Sequence, residues 1–193
     1  MQLDTLTLAD HWQPVSQNIA PCSSCQLVLV FGQSDLADPL RCYEELRQRY
    51  PLANIVGASS CGNILGTEIN HSAAVAVAIA FRNARVRVEQ APLQADLSVQ
   101  SHAADLATRL QEPDLRHLLV FCDGLLVNGS ELAAGFNSLR GYPGISGGLA
   151  GDGDRFEKTW TMANAAPASG QIVVIGLYGD SLAIGCGSHA GWT

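Results

Sequence analysis

Apolar positions fall into two patterns along the chain: short continuous runs, which suit strands buried on both faces, and stripes recurring every three or four residues, which suit helices with one face on a core. The first clear run is Gln26–Gly32 (QLVLVFG). Leu36, Leu40, Tyr43, Leu46 and Tyr50 then form one helical stripe. Asp38 before Pro39 supplies an N-cap and first helical residue, with Ser34 a competing start, and Pro51 ends the helix. Asn54–Ser59 (NIVGAS) predicts a second strand, which a right-handed crossover makes parallel to the first. Ala73–Phe81 and Ala84–Glu89 are linked so tightly that a hairpin is expected. In residues 1–25 no single period wins, and they are set apart as an N-terminal extension without assigned structure.

A linking helix follows at about Leu97–Gln111, and then the pattern restarts. His117–Cys122 reads as a strand, and Asn128-Gly-Ser-Glu131 has capping-box spacing before a helix with Leu132, Phe136 and Leu139 inside and Gly141 as its stop. Gly144–Leu149 is the next strand, Lys158–Met162 alternates, and Gln171–Tyr178 turns through Gly179-Asp180 into a strand at Ser181–Gly187. Phe31 and Phe121, Leu46 and Phe136, and Gly57 and Gly147 are each 90 residues apart, which suggests an internal duplication. The expected fold is α/β: a mixed sheet built from two similar β-α-β-β-β halves, about 26–90 and 117–190, with helices packed on the sheet and an internal pseudo-twofold. Residues 26–193 form one domain in this reading. A pseudo-twofold would bring the two equivalent turns together.

Composition narrows the class. At 193 residues and 47% hydrophobic, the chain can bury a self-sufficient core. A net charge of −7 without a Lys/Arg cluster argues against a nucleic-acid partner. The most apolar stretch is too short to span a bilayer and no signal peptide is evident, so a cytoplasmic protein without membrane insertion is expected. Six cysteines, at 22, 25, 42, 61, 122 and 186, are expected to stay reduced, with Cys42, Cys122 and Cys186 as small buried apolar residues.

The candidate chemistry lies in two glycine-rich turns, Gly57-Ala-Ser-Ser-Cys-Gly62 and Gly147-Gly-Leu-Ala-Gly-Asp-Gly153. Both follow apolar strands, and ligands of open α/β sheets bind beyond the carboxyl ends of strands. Successive backbone N–H groups in such turns make a nest for anions. Ser59, Ser60, Cys61 and Asn63 add polar groups to the first turn. Asp123, Gly124 and Asn128 lie beside the second, which contains Gly148, Ala150, Gly151 and Asp152. An anion nest beside carboxylates suits a zwitterion, so an amino acid or related small anion is the expected ligand, with its ammonium on an aspartate. The alternative is that the glycines merely allow tight turns and Asp152 caps one.

At these residues the chain resembles the FIST domain family, a bacterial and eukaryotic sensory module. The likeness runs through Val30-Phe31, Ile55-Val56-Gly57 with Ser59-Ser60 and Gly62, Asp123-Gly124-Leu125 with Asn128-Gly129-Ser130, and Gly147–Asp152 followed by Phe156, Thr159 and Gly191-Trp192. The resemblance implies an input domain for amino acids and their derivatives, coupled to a C-terminal FIST-type domain and to a kinase- or cyclase-type signalling partner. The first turn departs from the family, which has cysteine, alanine and glutamate where this chain has Ala58, Cys61 and Asn63. The resemblance also carries a haem-binding, nitric-oxide-sensing alternative with His71 or His189 as axial ligand, although no cofactor is the primary expectation.

Other readings rest on less. Ala58-Ser-Ser60-Cys-Gly62 is a loose variant of a nucleophile elbow, so a Ser- or Cys-dependent enzyme is an alternative, but no motif supplies a base and catalysis is not expected. Cys22-Ser-Ser-Cys25 has redox or zinc spacing without a second ligand pair. Arg82, Arg85 and Arg87 could edge an interaction module or simply face solvent.

Overall fold

The computed structural model describes residues 1–18, 25–70, 73–94, 96–137 and 144–187. Strands β1 (Gln2–Leu8), β2 (Trp12–Ser16), β3 (Leu27–Gly32), β4 (Asn54–Ser59), β7 (Ala74–Ala80) and β11 (Thr161–Ala163) form one sheet, in the order β11-β4-β3-β7-β1-β2. Strands β8 (Arg85–Pro92), β9 (Leu115–Cys122), β10 (Ile145–Leu149) and β12 (Gln171–Tyr178) form a second, in the order β10-β9-β12-β8. β5 (Asn63–Leu65) and β6 (Glu68–Asn70) make a small hairpin that periodicity did not reveal.

The sheets stack face to face, and a helix layer covers each outer face. Side chains of β3 alternate between two cores. Val28 and Val30 pack with Cys42 and Leu46 of helix α1 (Pro39–Arg49) and with Tyr50, its C-cap. Leu27 and Phe31 point the other way, into an inter-sheet core with Val56, Phe121, Val173 and Ile175. On the far side, Leu118, Val120 and Cys122 of β9 meet Leu106 and Leu110 of α2 (Val99–Leu110) and Leu132 and Phe136 of α3 (Gly129–Asn137). Four layers explain the continuous apolar runs, because a central strand is buried on both faces.

The mixed α/β class and its helices packed on sheets therefore hold, and both crossovers are parallel as the sequence predicts, β3 with β4 and β9 with β10. Asp38 caps α1 by accepting from the Arg41 backbone N–H at 3.0 Å, and Pro39 follows it. The 90-residue offset reappears in the pairing: Val30 lies opposite Gly57, and Val120 opposite Gly147. In each pair the glycine leaves room for the neighbouring carbonyl. A Cβ on Gly57 would sit 2.3 Å from the Val30 oxygen, and one on Gly147 would sit 1.9 Å from the Val120 oxygen.

Three expectations are corrected. Ala73–Phe81 and Ala84–Glu89 do not form a hairpin: β7 pairs with β1 and β3, β8 pairs with β12, and residues 81–84 carry the chain from one sheet to the other. A short link fits a step between stacked sheets as well as a hairpin, and the apolar inner faces of both strands favour stacking. Residues 182–187 are not a strand, because β12 already has β8 on one side and β9 on the other and offers no free ladder; Cys186 is accordingly exposed. The N-terminal residues without assigned structure form β1 and β2, with β1 paired along its whole length to β7. Asp4 obscured that pattern. It is a buried carboxylate accepting from the Tyr50 hydroxyl at 2.9 Å and the Asn18 N–H at 2.5 Å.

Cys42 and Cys122 are buried, and burial pushes both thiols up to about 12. Cys22, His71, Leu139, Gly141, His189 and Trp192 lie outside the described residues. Among the described residues no helix is long and apolar enough to cross a membrane.

Candidate functional site

The carboxyl ends of all four parallel strands converge, and the loops leaving them are stitched together. Within the first sheet, the Ser60 N–H donates to the Gly32 carbonyl at 2.8 Å; within the second, the Ala150 N–H donates to the Cys122 carbonyl at 2.8 Å. Between the sheets, the Gly151 N–H donates to the Ser59 carbonyl at 2.9 Å, and the Gly153 N–H donates to the Cys61 sulfur at 3.3 Å. The two glycine-rich turns thus meet. Gly151 lies against Cys61, where a Cβ would stand 2.5 Å from the sulfur.

Between them opens a polar groove of about 350 Å3, lined by Ser60, Cys61, Gly62 and Asn63 from the first turn and Asp152, Gly153, Asp154 and Arg155 from the second, with Gln33 and Asp35 from the end of β3. Arg155 is pinned across it. Its guanidinium donates to Asp35 at 3.0 Å and to the Ser34 hydroxyl at 2.6 Å, and the bond to Arg155 holds the Asp35 carboxyl below the usual range. Ser60 donates to the Asn63 side-chain oxygen at 2.7 Å, fixing Asn63, which is buried.

The two aspartates expected to grip an ammonium are occupied with the backbone. Asp152 accepts from the N–H groups of Phe156 (3.1 Å), Glu157 (2.7 Å) and Lys158 (2.9 Å). Those donors, Lys158 and Glu157 foremost, hold its carboxyl below the usual range. They also fix the loop while Phe156 takes a left-handed φ of 54°. Asp123 accepts from Leu125 (2.9 Å), Leu126 (3.1 Å) and Gly170 (2.8 Å). Both carboxylates brace loops, whereas Asp35, Cys61, Asp154 and Arg155 line the groove and are exposed.

The remaining site residues fall at different depths. Gly57 lies within β4 rather than in a turn, and Ser59 is buried, its hydroxyl accepting from the Trp160 N–H at 3.1 Å. Gly124 packs on the Ala150 carbonyl beneath the junction. Asn128 caps α3 by accepting from Ser130 at 2.9 Å. Gly147 and Gly148 lie on β10, beside a separate groove. Gln33, Asp35, Asp154 and Arg155 were missed. The strand-end rule applied to β3 would have found the first two, whereas Arg155 reaches the groove only through the loop that Asp152 braces.

A match to the FIST N domain family covers residues 26–193. The chain belongs to that family. No curated protein matches it. Within this FIST N domain, the segment most specific to the resemblance, Gly147–Asp152, spans the end of β10 and the start of the groove. Three described histidines lie elsewhere: His11 beside Glu45 at 2.6 Å, His102 beside the Ser98 carbonyl at 3.0 Å, and His117 beside Ser146 at 2.8 Å. Among the described residues no three His, Cys, Asp or Glu side chains gather as a metal site.

Proposed function

We propose that this FIST N domain is the input module of an intracellular signalling protein and takes a small zwitterion, an amino acid or close derivative, in the groove between its two glycine-rich turns. One observation carries the reading: turns from two separate βαβ units meet around a volume of about 350 Å3 that holds both a guanidinium and carboxylates. That volume suits a small ligand. Arg155, whose guanidinium has donors beyond those on Asp35 and Ser34, suits the ligand's carboxylate, and Asp154, beside the Asp35 already paired to Arg155, suits its ammonium, replacing the role first given to Asp123 and Asp152. Occupancy would bear directly on the Gly151–Ser59 and Gly153–Cys61 hydrogen bonds, which join the sheets. A C-terminal FIST-type domain or a kinase- or cyclase-type partner would read that change.

A thermal-shift panel of amino acids tests the proposal. At a hundred times its Kd a ligand adds about 2.7 kcal/mol, hence a rise of several degrees at roughly 2–4 °C per kcal/mol. Arg155→Gln should abolish the shift while leaving the unliganded melting temperature within a few degrees. No shift from any member overturns the reading.

A further inference from the structure

Among the described residues the two main sheets have four edges, and three are protected. Beyond β11, Thr161 and Ala168 exchange backbone hydrogen bonds at 2.9 Å. β2 carries Pro14. β8 carries Arg85, Arg87 and Glu89, the arginines ion-paired to Glu112 and Asp114, and ends at Pro92. Charge, proline and covering chain are the devices by which sheet edges avoid pairing with other molecules. β10 (Ile-Ser-Gly-Gly-Leu) has none of them: it holds no charge and no proline, and among the described residues it pairs on one side only, with β9.

Its exposure departs from that of its counterpart too. β10 is exposed from Ser146 to Leu149, with Leu149 49% accessible, whereas β4 is buried along nearly its whole length. Beside β10 runs a mainly apolar groove of about 370 Å3, floored by Val120 and walled by Leu132, Ala133 and Phe136 of α3.

We propose that this edge is a self-association surface, at which β10 of one copy pairs antiparallel with β10 of a second across a twofold axis. Self-complementarity of the strand selects a second copy, and charge fixes where two copies can meet. Two chains of net charge −7 repel most of each other's surface, and they meet at least cost where neither presents an ionisable group; β10 and the groove lining present none. A strand pairing antiparallel with its own copy is self-complementary and closes as a dimer. Centring the pair on Gly147 sets Leu149 opposite the second copy's Ile145 on the groove face, and Gly148 opposite its Ser146 on the other. The apolar residues then cover the open groove, and the outward N–H and C=O groups gain partners.

Sedimentation equilibrium of the chain across a wide concentration range tests this. The expected result is a reversible dimer of twice the 20.4 kDa chain mass. Leu149→Asp and Gly148→Asp, one on each face of the edge, should each raise the dimer Kd about tenfold or more, with melting of the monomer unchanged. Leu52→Asp, at a site 78% exposed on the link between α1 and β4, should leave the dimer intact. A monomer at every concentration, a dimer indifferent to both edge variants, or an open-ended polymer would each overturn the proposal.

Discussion

β4 and β10 are the second strands of two βαβ units whose pairings coincide at a 90-residue offset, yet they live in opposite surroundings. β4 has α1 on one face, the second sheet on the other and β11 along its edge. Among the described residues β10 has β9 along one edge and the flank of α3 beside it. The glycine in each serves the same close approach to a valine carbonyl, so that feature belongs to the βαβ unit itself. Burial belongs to the neighbours. The contrast teaches that two βαβ units can share backbone geometry without sharing solvent exposure, one strand lying in the core and the other open to solvent.

A charge placed at matched positions gives the largest test. Ala58 and Gly148 correspond at the same offset, but Ala58 is buried and a Cβ on Gly148 meets nothing within 4 Å. Ala58→Asp should cost more than about 4 kcal/mol by burying an unpaired carboxylate, enough to prevent accumulation of folded protein. Gly148→Asp should stay within about 0.5 kcal/mol in urea unfolding of the monomer. Similar losses at both positions would show that β10 is covered.

Truncation of the matched helix residues sharpens the comparison at the next level. Leu46→Ala should cost about 3–4 kcal/mol, since the side chain is fully enclosed beneath α1. Phe136→Ala removes more atoms, but Phe136 also lines the open groove, where solvent and neighbouring side chains can occupy the space left. Its cost should therefore not exceed that of Leu46→Ala. A loss larger by about 1 kcal/mol would mean that the groove is closed in solution.

Acid gives the smallest effect, and it belongs to the second loop. Because the folded-state Asp152 carboxyl lies below its ordinary value of 3.8, its contribution to stability is complete above that value and is lost as pH falls through the folded value. Asp152→Asn should flatten that part of the stability-versus-pH curve. The neutral first-turn substitution Asn63→Ala should leave the acid limb unchanged in shape.

Legibility followed locality. The helix cap at Asp38, the parallel crossovers and the offset between Gly57 and Gly147 were readable because each depends on residues close in the chain or on a repeated spacing. The β7–β8 step was not, since a link of four residues satisfies a hairpin and a sheet-to-sheet passage equally. In the candidate site the turns themselves were legible, but the work done by their aspartates was not. Asp123 and Asp152 have the composition of ligand grips, and only folded loops show their oxygens taken by backbone N–H groups. Arg155 was invisible for the converse reason: its partners, Ser34 and Asp35, lie 121 and 120 residues away in sequence.

By itself the sequence determined the class of fold, the family and the two turns, because hydrophobic period, capping and glycine spacing are local signals that survive without coordinates. Tertiary structure alone decided that the strands divide between two stacked sheets, that Cys61 meets Gly153 across the junction, and that one glycine strand is core while its counterpart is open. Those facts depend on which surfaces meet, and burial and charge pairing are set by neighbours distant in the chain.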